Sequence, residues 1–210
     1  MPQPDHLCAY PVPDAATLDD DLQVVFAKCV EKLGMVPNVL ATYSIRPNRL
    51  RNFMAMYNEI MFSESGLSKL EREMVAVVVS SANRCYYCLV AHGQAVRALS
   101  GDPQLGEMLV MNHRVAPLDA RQRAMLDFAW KLTKTPSEVG EADRRRLHEA
   151  GFAPEDVFDL SETVAFYNFS NRLATAVDMM PNPEYHGMNR PEPFEPPQPV
   201  KQDVMKSGRS

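Results

Sequence analysis

Apolar positions recur along this chain at three- and four-residue spacing almost throughout, and no alternating strand-length run bounded by hairpin turns interrupts them. The pattern predicts an all-α protein. A Thr17-x-x-Asp20 start signal leads into a first helix, with Leu22, Val25, Phe26, Cys29, Val30 and Leu33 on one stripe and Gly34 as its stop. A short helix follows Asn38, and a longer one opens near Pro47, carries Leu50, Phe53, Met54, Tyr57 and Met61, and is closed off by Gly66. Ser68 and Glu71 form a capping box at the head of a helix running to about Ala82 that is apolar all round after Arg72, the signature of a central buried helix. After a break at Asn83-Arg84 a further helix runs from about Cys85 through His92 to Leu99, ended by Gly101 and Pro103. Asp119 caps a helix that ends before Pro136, and Glu141 to Ala150 form a shorter one. The last long helix starts at Pro154, with Val157, Phe158, Leu160, Val164, Ala165, Phe169, Leu173 and Val177 on its apolar side.

The helical period covers residues 17–180 as a single domain, preceded by an extended leader over 1–16. From Pro181 it disappears: seven of the last thirty residues are proline, so 181–210 reads as an extended or partly disordered tail, suited to wrapping another surface. At 210 residues, with 45% hydrophobic and 23% charged, the chain is long enough for a proper core. The net charge of -5 and the lack of a basic cluster argue against nucleic acid as a partner. The longest unbroken apolar stretch, Met74 to Val79, is far short of the roughly 20 residues a bilayer requires, so no membrane association is expected. The first ten residues lack the basic and apolar regions of a signal peptide, and the chain reads as cytoplasmic.

In that compartment four cysteines do not make a structural disulfide framework, and a close pair points to catalysis or metal binding. The close pair is Cys85-Tyr86-Tyr87-Cys88, followed four residues later by His92. With Cys85 at the helix start, Cys88 falls in the first turn, where free N–H groups favour a thiolate and should bring its pKa below the free value of about 8.5. His92, one turn on, shares a face with Cys88 and is placed to exchange its proton. Glu73, in the central helix, is the carboxylate candidate to orient that imidazole; pairing with Lys69 one turn earlier is the competing structural role. Glu71 and Arg72 read as solvated. Cys29 reads as core and Cys8 as exposed in the leader, while His6, His113, His148 and His186 read as surface residues. Asn171 and Arg172 read as structural.

The run from Leu67-Ser68 and Arg72-Glu73 through Cys85-x-x-Cys88-x-x-x-His92 to Phe169-Ser170-Asn171-Arg172-Leu173-Ala174 resembles the alkyl hydroperoxidase D-like group of the carboxymuconolactone decarboxylase superfamily, and its peroxidase-related members in particular. The resemblance spans about residues 63–182 and implies an alkyl hydroperoxidase D-like helical bundle that reduces peroxide with thiols. Carried over, Cys88 is peroxidatic, Cys85 resolving, and His92 with Glu73 a proton relay, cycling through a Cys88 sulfenic acid and a Cys85–Cys88 disulfide. The implied partners are a peroxide and an external thiol or dithiol reductant. No metal or organic cofactor is required, and a homo-oligomer (dimer, trimer or hexamer) is implied. Tyr87 stands where the best-known hydroperoxidase members carry a second histidine, which shortens the relay. The residues alone leave alternatives: a Cys/Cys/His zinc site, which lacks an evident fourth ligand, a thiol switch without turnover, and the decarboxylase chemistry that names the superfamily. A dithiol of this kind also suits disulfide reduction.

Overall fold

The computed structural model describes residues 3–190 and, among them, only helices and connecting segments. The expected elements appear as α1 (Asp20–Leu33), α2 (Asn38–Tyr43), α3 (Pro47–Phe62), α4 (Lys69–Asn83), α5 (Tyr86–Ser100), α7 (Ala120–Lys134), α8 (Glu141–Glu149) and α9 (Pro154–Ala176). One helix, α6 (Leu105–Asn112), has no counterpart in the sequence reading. Its signal is Leu105, Met108 and Leu109 at one helical face, masked by the Gly101 and Pro103 stop just before it. Gly106 lets α6 lie against α5: a Cβ there would stand 2.8 Å from the Gly93 carbonyl oxygen.

Terminal signals are realised in most places. Ser68 Oγ accepts from the Glu71 N–H while Glu71 Oε2 accepts from the Ser68 N–H, and Asp119 accepts from Gln122 N–H. Pro47 and Pro154 occupy first-turn positions. The start of α1 differs: Asp19 is the N-cap residue, and Thr17 instead closes a short 3-10 turn, its hydroxyl donating to the Asp14 carbonyl.

α4 is the axis of the molecule. Met74 through Val79 are fully buried, and α5, α6, α7 and α9 pack around them. Glu71 and Arg72 are buried as well, contrary to the solvated expectation. Glu71 is held by its capping box and by Arg121, while Arg72 donates one Nη to the Ser63 carbonyl and leaves its Nε and other Nη buried without a partner.

The buried stripe of α9 is rotated from the expected one. Val157, Leu160, Val164, Tyr167, Asn171 and Ala174 face inward at helical spacing, whereas Phe158, Ala165 and Phe169 face outward. Reading hydrophobicity alone set the face by the phenylalanines, although Asn171 finds polar partners inside.

The leader lies along the end of α9, with backbone bonds from Ala9 N–H to Val177 O and from Met180 N–H to Leu7 O. Cys8 is therefore buried, not exposed, and its thiol donates to the Tyr10 carbonyl. Beyond α9, residues 183–186 wind into a 3-10 turn whose Tyr185 is buried, and Arg97 donates to the Tyr185 and Met188 carbonyls. That part of the tail rests on the chain's own surface; the expectation for 191–210 lies outside the described residues. None of the described helices is long and apolar enough to cross a membrane.

Candidate active site

The turn between α4 and α5 places the cysteines. Arg84 takes a left-handed conformation (φ 56°), and its N–H and that of Cys85 both bond back to the end of α4, through the Ser80 and Ser81 carbonyls. Cys85 thereby becomes the N-cap of α5, and Cys88 sits in its first turn. Both sulfurs are buried, in an apolar cluster with Tyr87, Ala174 and Met179.

The two thiols are neighbours, and their mutual influence divides their acidity. Cys85 is lowered to about 7, first by the Cys88 thiol and then, against its own burial, by the Cys88 backbone N–H, Thr175 and His92. Cys88 is pushed well above the usual thiol range, chiefly by the neighbouring Cys85 thiol and by burial, with Asn171 and Ser170 acting in the opposite sense. The acidified thiol is thus Cys85, not Cys88 as the first-turn argument predicted. The neighbouring Cys85 thiol and burial hold the Cys88 proton, and together they outweigh the first-turn field that the spacing alone suggests.

His92 lies one turn after Cys88, and its Nδ1 pairs with Glu73 Oε2 at 2.7 Å. Both side chains are largely buried, and the imidazole meets the Tyr167 ring edge-on at 4.8 Å between centroids. Glu73 therefore pairs with His92 and not with Lys69, because α4 and α5 lie side by side along this face. With Nδ1 engaged, Nε2 is the nitrogen left to exchange protons.

Cys88, His92 and Glu73 line one cavity of about 560 Å³, walled mainly by Leu40, Phe53, Met54, Tyr57 and Phe166. Cys29 reaches the same cavity from α1. It is half-buried on the wall, not within the core, and burial pushes its thiol up. Cys85 does not border this space; it forms the floor of a separate recess.

Asn171 was read as structural, and it does brace the site, donating to Ser80 Oγ and accepting from Asn83 Nδ2. It also contacts the Cys88 sulfur, a role the sequence signalled only as a polar residue on the α9 inner stripe. Arg172 stays at the surface on Asn168. His113 is buried, contrary to expectation, with Nε2 on Asp127 and its ring 5.5 Å from Trp130, and it lines neither of the spaces that Cys85 and Cys88 line. His6, His148 and His186 are exposed as expected.

An all-helical bundle with a buried Cys-x-x-Cys beside a Glu–His pair defines a helical thiol protein. Its sequence matches the Carboxymuconolactone decarboxylase family over residues 47–129. It is 59% identical to an uncharacterized peroxidase-related protein from Silicibacter sp. TM1040, covering 90% of this chain and 100% of that one, with a TM-score of 0.87. An uncharacterized peroxidase-related protein from Ralstonia eutropha JMP134, described as an alkylhydroperoxidase AhpD core, is 42% identical over 89% and 98% of the two chains, at a TM-score of 0.86. The debrominase Bmp8, at 18% identity over 89% and 97% and a TM-score of 0.70, shares the fold. No curated protein matches the sequence. The chain belongs to the carboxymuconolactone decarboxylase superfamily and to its alkyl hydroperoxidase D-like branch.

Proposed function

We propose that the protein is a thiol-dependent peroxidase in which Cys88 is the peroxidatic and Cys85 the resolving cysteine. The observation that carries this reading is that Cys88, His92 and Glu73 open onto a single apolar cavity while Cys85 touches Cys88 from behind. Near neutral pH the dithiol holds one proton between its sulfurs, and transfer of that proton to Cys85 or to His92 Nε2 frees the Cys88 thiolate. The thiolate attacks the peroxide: a sulfur–oxygen bond forms, the oxygen–oxygen bond breaks, and the departing alkoxide takes a proton from His92, whose charged form Glu73 stabilises. Cys85 then displaces water from the Cys88 sulfenic acid to give the disulfide, and an external thiol or dithiol returns two electrons. The aromatic and aliphatic wall favours peroxides with an apolar organic group over hydrogen peroxide.

The same reading includes self-association. Val24, Val30 and Leu33 on α1 and Met56 and Phe62 on α3 are exposed, and Leu33 and Phe62 also form the outer wall of the cavity. Grouped apolar exposure of this kind marks a subunit interface.

The zinc alternative has less support: among the described residues no group of three or more His, Cys, Asp or Glu is arranged to hold a metal. The test is thiol titration with intact mass before and after one equivalent of cumene hydroperoxide or hydrogen peroxide, on wild type, Cys85→Ser and Cys88→Ser proteins. Loss of two thiols in the wild type, and a sulfenic acid trapped only where Cys88 remains, is the expected result. Full turnover by Cys88→Ser overturns the assignment.

A further inference from the structure

Cys85 and Cys88 border different spaces. Cys88 faces the 560 Å³ cavity with His92, whereas Cys85 lies at the floor of a recess of about 120 Å³ to which Cys88 does not contribute. The recess sits where α4 ends, α5 begins and α9 ends. Its floor is Cys85, Ala174 and Met179, all buried, and its rim is Arg84, Thr175 and Asp178, all exposed. Among the described residues, two of the three non-glycine positions with left-handed backbone stand at this rim, Arg84 (φ 56°) and Asp178 (φ 50°). Such conformations are costly for residues with a Cβ and gather at sites where the backbone shape matters.

From this we infer that the recess over Cys85 is a second mouth, through which a small thiol reductant attacks the Cys85–Cys88 disulfide, separate from the cavity that admits peroxide. The inference rests on the peroxidase reading for its place in a cycle, although the mouth itself is defined by position alone. Thiol–disulfide exchange requires the incoming sulfur to approach along the line of the bond it breaks. The recess is lined by Cys85 and not by Cys88, so a thiolate in it meets Cys85 as the attacked sulfur and leaves Cys88 as the departing one. The reductant thiol loses its proton, a bond forms between its sulfur and Cys85, the Cys85–Cys88 bond breaks, and Cys88 leaves as a thiolate that takes up one proton in turn. A second reductant thiol then attacks the mixed disulfide, leaving the oxidised reductant and a Cys85 thiol. The narrowness of the recess, about four water volumes, selects a thiol on a slender chain.

The test separates the two mouths kinetically. Thr175→Phe fills the recess from an exposed rim position, Thr175→Val removes the hydroxyl without filling it, and Ala95→Phe fills the wall of the large cavity. The full chain is oxidised to the disulfide with diamide, so that reduction by dithiothreitol is read whether or not peroxide reacts. Single-turnover oxidation by cumene hydroperoxide is read on the reduced protein. Thr175→Phe is expected to slow reduction by about tenfold or more relative to Thr175→Val, because the two variants share the loss of the hydroxyl beside Cys85 and differ in access, with single-turnover oxidation alike in both. Ala95→Phe is expected to slow oxidation alone. Unchanged reduction in Thr175→Phe, or reduction slowed by Ala95→Phe instead, overturns the second mouth and places both reagents in the large cavity. Absence of peroxide oxidation in the wild type overturns the peroxidase reading and leaves the reduction result to stand on its own.

Discussion

At the scale of single residues the site turns on where one proton resides. The Cys88 thiol is the largest influence holding Cys85 at about 7, so thiolate formation, followed by ultraviolet absorbance or alkylation rate, should rise through a midpoint near pH 7. Below that pH the pair is fully protonated and unreactive; above it the monoanion accumulates. In Cys88→Ala the donor is lost and the Cys85 midpoint should move upward. His92→Gln should lower peroxide turnover by ~10²- to 10⁴-fold, the range of general acid–base catalysis, while Glu73→Gln should retain more activity and alter the pH profile. Equal turnover in all three proteins would show that the relay takes no part. Asn171→Ala withdraws a buried partner from Ser80 and Asn83 and should cost about 1–3 kcal/mol of stability in denaturant unfolding.

At the scale of elements, the caps and the helix crossing are separable contributions. Ser68→Ala removes one half of the capping box on the central helix and should destabilise the protein by about 1 kcal/mol, read as a lower urea midpoint with an unchanged slope. Gly106→Ala brings a Cβ to 2.8 Å from the Gly93 carbonyl oxygen, and because backbone must yield, a loss of about 1–3 kcal/mol is expected. A neutral Gly106→Ala would mean that α6 slides on α5 without resistance. Most helix starts were legible because a capping box or a first-turn proline is a local device, written in four adjacent residues. The short α6 was not, since its stability comes from packing on α4 and α5 and its sequence opens directly after a stop signal.

For the whole molecule, the exposed apolar residues of α1 and α3 predict a dimer or larger assembly by light scattering after gel filtration. Leu33→Glu together with Phe62→Glu should shift that assembly toward monomer, and an unaltered mass would place the interface elsewhere. The carboxymuconolactone decarboxylase fold accommodates this arrangement because its central helix is buried on every side, which leaves the flanking α1 and α3 to carry the outer cavity wall.

The sequence by itself determined the helical class, the central position of α4, and the chemistry-bearing set Glu73, Cys85, Cys88 and His92, since three of the four lie within the first two turns of one helix and its cap. Tertiary structure decided everything that depends on what lies across a gap. It gave Glu73 to His92 instead of Lys69, buried His113 and Cys8, and turned the inner stripe of α9 so that Asn171 reaches Cys88. It also raised the Cys88 thiol that the spacing expected to be acidified, lowered Cys85 instead, and set the two on separate spaces. Burial, partnership and acidity are properties of neighbours, and helical periodicity names only the neighbours that one helix provides.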